Sequence, residues 1–393
     1  MSVTTQHVLG GNRPRDVLRR STIVAVVSFL TLIDLFGTQA LLPQIITRFA
    51  TDSGTAGLAV NAATAGMAAS GLAVAWFADR IDRKRGLWLC LALLSIPTAL
   101  LAMAGSIWML MALRVVQGIF MAAAFTLTMT YLSEQCDVMA RGGALAAYIT
   151  GNVAANLLGR LLAVSLTEAT SLAGCFLIFA LLNLCGALLC YAVIGARDAQ
   201  SPTPGGRPLD AWRRHLAAPP LRAAFAIGFL ILFVFVGVFT YVNLHLVGTL
   251  GVPPTALGLV YLVFTPALIT TPLANRLVVR LGPRAALILS LAGALAGLAL
   301  TVVPFVPLVL LGMAVIGLST FAAQAAAAGY VSAHVVADRA QANGLYLASY
   351  YLGGLTGAFL LGQINVRLGW PATAAALAAS LTAAILIARR LKD

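Results

Sequence analysis

Residues 75–85 read Ala-Trp-Phe-Ala-Asp-Arg-Ile-Asp-Arg-Lys-Arg, a knot of charge between two long apolar stretches. Residues 275–284 repeat the arrangement as Asn-Arg-Leu-Val-Val-Arg-Leu-Gly-Pro-Arg. Arg80 is matched by Arg280, Asp82 by Gly282 and Lys84 by Arg284. A charged hairpin that recurs at half the chain length, each time between hydrophobic segments, points to a duplicated membrane bundle.

Composition makes lipid the solvent. Of the residues, 61% are apolar and 9% are charged, whereas a soluble domain carries roughly a quarter charged residues. The net charge of +13 would suggest nucleic acid in a soluble protein. Here the charges sit in short loops and report orientation instead, so no nucleic-acid partner is expected. The first 20 residues are polar and Arg-rich and lead into a long apolar run, so no cleavable signal peptide is expected. The five cysteines lack metal-ligand spacing, and neither disulfides nor a metal is expected.

Apolar segments of spanning length lie at about 21–43, 55–78, 87–104, 107–131, 143–166 and 172–194. After a break, six more follow at about 222–247, 256–278, 285–303, 307–331, 345–366 and 372–388. Each must be helical, because only a helix satisfies its own backbone hydrogen bonds in lipid. The expected fold is an all-α membrane protein of twelve transmembrane helices. Two six-helix bundles, 21–194 and 222–388, are related by a pseudo-two-fold axis. A tail (1–20), a linker (195–221) and a short end (389–393) complete the chain. Placing both termini inside puts 21 of the 25 Lys and Arg on the cytoplasmic side, with only Arg48 and Arg367 in outer loops. Pro and Gly mark the linker as flexible. Within it, Leu209–Leu216 reads either as a short basic helix with Trp212 toward lipid or as plain linker.

Three ionisable residues fall inside spans: Asp34, Arg114 and Arg160. Such residues are costly in a bilayer and face a cavity or one another. Counting ~1.5 Å per residue from the outer helix ends places them about 13, 10 and 9 Å deep, in one layer. Ser28, Thr31, Asp34 and Thr38 give span one a polar stripe, and Arg114, Gln117, Met121 and Thr128 line one face of span four. On this reading Asp34 carries a coupling proton and Arg114 is its fixed cationic partner. Arg160 either joins them or snorkels to the outer surface. The alternative is a static bridge from Asp34 to Arg114 or Arg160. Uncharged side chains supply a substrate cavity: Thr38, Gln39, Asn152 and Asn156 from the first half, Asn243, Gln324, Tyr346 and Tyr350 from the second. They suit a neutral or amphiphilic ligand, although each alone also serves as a helix–helix hydrogen bond.

At its motifs the chain resembles the major facilitator superfamily, over essentially its whole length. The family's signature between spans two and three, Gly-x-x-x-Asp-Arg-x-Gly-Arg-Lys/Arg, stands here as Ala75, Asp79, Arg80, Asp82, Arg83 and Lys84. Arg114-Val-Val-Gln117-Gly118 looks like the span-four motif of proton-coupled members. Gly344 to Gly354 looks like span eleven of bacterial sugar or drug exporters. The antiporter glycine ladder of span five is absent; Gly151-Asn152 and Gly159-Arg160 stand there instead. The resemblance implies proton-coupled export of a small organic solute across a bacterial inner membrane by alternating access, with a monomer sufficient. It also implies a cytoplasmic gate in which Asp79, flanked by Arg80, Arg83 and Lys84, meets the N-terminus of span eleven. The partners expected are a small molecule, protons and the bilayer, with the proton gradient in place of any cofactor. Proton-coupled uptake is the nearest alternative, and a receptor or scaffold without transport is a further one. Enzyme motifs such as His-Glu-x-x-His, Gly-x-Ser-x-Gly or a phosphate-binding loop are not present.

Overall fold

The computed structural model describes residues 14–77, 83–135, 138–193, 208–253, 256–268, 277, 278, 280–335 and 338–391, and among these it is helical with no strand. The first half comprises α1 (Pro14–Ala40), α2 (Leu42–Phe49), α3 (Ser53–Asn61), α4 (Ala63–Phe77), α5 (Arg83–Leu101), α6 (Ile107–Gln135), α7 (Val138–Ala169) and α8 (Leu172–Val193). Then come α9 (Pro208–Ala217), α10 (Pro219–Gly248) and α11 (Leu257–Val260), which runs on through a 3₁₀ turn at Tyr261–Phe264. The last three are α12 (Pro283–Leu300), α13 (Val306–His334) and α14 (Arg339–Ala388).

Each of the twelve expected spans meets a helix. Seven stretches among the described residues are long and apolar enough to cross a bilayer, and the bent α1–α2 pair makes eight. Spans two, eleven and twelve do not follow their simplest outline. Span two is α3 plus α4, with the helical bonding pattern interrupted at Ala62. Spans eleven and twelve are joined in α14, which turns at Gly369 (φ 75°), a conformation glycine adopts without strain, just before Pro371. Span one ends earlier than expected. The chain bends by 60° between α1 and α2, because Pro43 offers no N–H to continue the ladder.

The linker is partly helical. Leu209–Leu216 lies in α9, and Trp212 packs edge-to-face on Trp76 of α4 at 5.6 Å rather than standing free toward lipid. Arg214 of α9 pairs with Asp338 at the start of α14 at 2.5 Å. Residues 194–207 lie outside the described part of the chain.

Glycines let helices touch, and they do so at matching places in the two halves. On α7, Gly151 and Gly159 sit against the Ala25 and Ile33 carbonyls of α1. On α14, Gly353 and Gly357 sit against the Phe229 and Phe233 carbonyls of α10. Span five thus packs on span one as span eleven packs on span seven, which is the duplication made visible in backbone contacts. The halves meet where α3 and α4 run along α14.

Candidate functional site

Between the halves lies a small cavity. The first half contributes Leu32, Leu35, Phe36 and Gln39 of α1, together with Phe125 and Asn152. The second contributes Phe235, Thr320, Phe321, Gln324, Tyr350 and Tyr351. Rings and amides dominate, and no charged side chain lines it. Of the eight residues expected there, Gln39, Asn152, Gln324 and Tyr350 do line it.

The other four do not. Thr38 points along its own helix, donating to the Asp34 carbonyl at 2.7 Å. Asn243 is held by Tyr261, to whose hydroxyl it donates at 2.6 Å. Tyr346 stacks on Tyr350 at 6.2 Å and lies over Gly228. Asn156 is fully buried on α7, and neither of its side-chain polar atoms finds a partner.

The three membrane charges separate into two groups. Asp34 does not look into the cavity. Leu32, Leu35, Phe36 and Gln39 take that face of α1, and Asp34, two positions from Leu32 and Phe36, is turned about 200° from each. Its carboxylate enters the interior of the first bundle. Oδ2 accepts from Asn183 Nδ2 of α8 at 2.6 Å and from Thr98 Oγ1 of α5 at 3.1 Å, while Oδ1 accepts from no group. Nothing in the pattern of span one points to Asn183 or Thr98 as partners of Asp34. Asn183 was detectable as a lone amide in the apolar run 172–193.

Arg114 hydrogen-bonds the backbone of Asp34 rather than its carboxylate, so the alternative of a static bridge between the two side chains gives way to a different clamp. Nη1 donates to the Asp34 carbonyl at 3.3 Å and to Gln117 Oε1 at 2.8 Å. Nε and Nη2 both donate to the Val60 carbonyl, at 3.2 and 2.8 Å. Gln117 passes the chain on, donating to Thr98 Oγ1 at 2.7 Å. With Asn183, which bonds both Asp34 and Thr98, five spans are tied through this one buried network. Val60 is within reach because Gly118 lies directly against the Ala63 carbonyl of α4; a side chain there would hold α6 off. The Arg-x-x-Gln-Gly motif therefore has a local physical meaning: a cation, its amide partner and the glycine that admits both.

Arg160 belongs to the second group and does not snorkel; it is fully buried. Nη2 donates to Gln39 Oε1 at 2.6 Å. The Tyr261, Phe264, Phe239 and Phe36 rings surround the guanidinium carbon at 4.7, 5.2, 5.3 and 5.8 Å. Three of these rings come from the second half, so Arg160 joins the halves beside the cavity, toward the Ala40 end of α1 and the Ala169 end of α7. Gln39 continues the seal. It donates to Asn61 Oδ1 at 2.7 Å, and Asn61 donates to Thr240 Oγ1 of α10 at 3.1 Å. Tyr241 of α10, which hydrogen-bonds the Ala358 carbonyl within its own half, lies against Gly57 of α3 across the interface.

Of the gate residues, Asp79 and Arg80 lie outside the described residues. Arg83 and Lys84 open α5.

A family model described as Major Facilitator Superfamily matches residues 24–265 and 244–392. The chain belongs to the Major Facilitator Superfamily. It is 28% identical over 367 residues to the inner membrane transport protein YnfM of Escherichia coli, covering 91% of this chain and 86% of that one. It is 24% identical over 363 residues to an uncharacterized transporter of Buchnera aphidicola subsp. Schizaphis graminum, covering 91% and 87%. Among solved structures it resembles the nucleoside transporter NupG, with TM-score 0.74 at 14% identity over 95% and 99% of the two chains. It also resembles a bacterial homolog of the human lysosomal transporter Spinster, with TM-score 0.71 at 17% identity over 96% of each. These structural likenesses speak to the fold. Family and relatives together make this a multi-pass membrane transporter in a family of carriers rather than enzymes.

Proposed function

We propose that this transporter exports a small organic solute in exchange for protons, by rocking its two bundles about the central cavity. The observation that carries the reading is that cavity: both halves line it, rings, aliphatic side chains and amides form its walls, and a seal of Arg160, Gln39, Asn61 and Thr240 closes one side. Rotation of the two halves would open this small chamber to one side and widen it to take an organic solute.

Asp34 is the proton carrier in this scheme, acting from beside the cavity rather than within it. An ionised carboxylate with one oxygen accepting no hydrogen bond is costly to bury, and a proton on Oδ1 removes that cost. Loading or losing the proton changes the field at Arg114. Arg114 holds Val60, and Val60 belongs to the α3–α4 span that runs along α14 between the halves. Proton and solute are thereby coupled through helix position, without competing for one charge.

Everted membrane vesicles, whose lumen is acidified by respiration, test the direction. The exporter accumulates its solute in the lumen as protons leave. Depletion of the lumenal solute instead would establish uptake by symport, and no pH-dependent movement of any solute in a broad panel would overturn the proposal.

A further inference from the structure

The buried charges do not balance. Arg114 and Arg160 are both fully buried, and of the twelve Asp and Glu in the sequence only Asp34 stands within a span. That carboxylate is already engaged with Thr98, Asn183 and the field of Arg114. Among the described residues no acid lies within ion-pair distance of Arg160. Apart from a contact with the Tyr261 hydroxyl, its Nε and Nη1 have no polar partner, and that hydroxyl carries no formal charge to balance the guanidinium. Aromatic faces ease a buried cation without neutralising it, and an uncompensated charge in a membrane interior is expensive.

The same helix carries more idle polar atoms. Asn152, Asn156 and Arg160 stand at i, i+4 and i+8 on one face of α7. Neither the amide nitrogen nor the oxygen of Asn156 has a partner, and Asn152 Oδ1 has none. Asn152 lines the cavity, as do Gln39 and Phe36, the two residues that touch Arg160 from α1. The stripe therefore runs from the cavity wall to the guanidinium over about 12 Å at ~1.5 Å per residue. Buried polar groups are normally satisfied; a row of unsatisfied ones beside a cavity is waiting for a ligand.

We infer that this stripe is the recognition wall for an amphiphilic organic monoanion, its carboxylate set against Arg160 and a hydrogen-bonding group reaching Asn156 or Asn152. One guanidinium balances one negative charge. The rings of Phe125, Phe235 and Phe321 take the apolar body, and the spacing sets the second polar group about 6 to 12 Å from the carboxylate. This assignment rests on the transport reading and narrows its substrate class from the neutral or amphiphilic solute expected from sequence.

The test is equilibrium binding to the purified full-length protein of three matched probes: 2-naphthoate, 2-naphthamide and 2-naphthylmethylammonium. The wild type is expected to bind the carboxylate at least ~10-fold tighter than the amide, and the ammonium least. Arg160→Gln should erase that preference, while Arg160→Lys should retain part of it. Asn156→Leu should weaken 6-hydroxy-2-naphthoate more than 2-naphthoate. The comparison among probes on the wild type stands even if a variant does not fold. Equal binding of amide and carboxylate, binding of none of the three, or a preference surviving in Arg160→Gln would each overturn the site. The two readings fail separately. Uphill movement of neutral solutes alone would leave transport standing without the anion site. Arg160-dependent binding with no movement of any solute would leave the site standing without transport.

Discussion

Gly118→Ala isolates the contact on which the buried network depends. A Cβ built at Gly118 lies 1.8 Å from the Ala63 carbonyl oxygen. Ordinary carbon–oxygen contacts are about 3.3 Å or more, so α4 and α6 must part by about 1.5 Å. Backbone, unlike a flexible side-chain tip, cannot step aside. The same displacement stretches the 2.8 Å bond from Arg114 Nη2 to the Val60 carbonyl beyond bonding distance. Overpacking of this kind costs about 1–3 kcal/mol, and a lost hydrogen bond from a charged group adds about 1.5–3, giving roughly 2.5–6 kcal/mol in total. With unfolding entropy near 2.1 cal/mol/K per residue, each kcal/mol lowers the Tm of a chain this long by about 1 °C. Thermal unfolding in detergent should therefore fall by about 3–6 °C, and transport should fall with it. Gly105→Ala is the control: a Cβ there meets nothing within 4 Å, and its Tm should match the wild type. If Gly118→Ala unfolds at the wild-type temperature, α4 and α6 are not in backbone contact and the reading of the span-four motif is wrong.

Asn183→Leu removes the shorter of the two donors to Asp34 Oδ2. It should destabilise by about 1–3 kcal/mol and displace the pH profile of transport, read in vesicles across a pH series. Asp52 caps α3, accepting from Gly54 and Thr55, and Asp52→Ala should cost about 1 kcal/mol at neutral pH. Chiefly through the Thr55 hydroxyl, these bonds hold the Asp52 carboxyl below its ordinary value of 3.8. The stabilisation is full above that value and is lost as pH falls through the lowered one. The Tm gap between Asp52→Ala and wild type should therefore close below about pH 4, and a gap that widens there would contradict the cap. Arg214→Ala breaks the pair with Asp338, but Arg214 is 60% exposed, so the loss should stay under about 1 kcal/mol. Accessibility of a cysteine placed at Trp212 should rise in that variant.

The helices are legible in the sequence because lipid gives the backbone no other way to satisfy its bonds. Residue counting likewise places Asp34, Arg114 and Arg160 at similar depth, since helix rise is nearly constant. Azimuth is harder. A polar stripe must avoid lipid, but it can do so by facing a cavity or by facing the inside of its own bundle. For Asp34 the difference is decided by Thr98 and Asn183 on spans three and six, and no periodicity within span one reports on them. Arg160 shows the converse. Its six-residue distance from the expected outer end of the span allows snorkelling, and only the packing of Phe239, Tyr261 and Phe264 from the other half shows why it stays in. Motifs carry part of this information: Gly118 follows Gln117 because the bond to Val60 requires a bare backbone between them.

The central claim is that Asp34 turns a proton gradient into solute movement from a position beside the pathway. Reconstituting wild type and Asp34→Asn into liposomes and imposing a pH gradient tests it directly. Wild type should accumulate solute against its gradient, while Asp34→Asn should still exchange solute down its gradient but accumulate none. Accumulation by Asp34→Asn at the wild-type level would contradict the account.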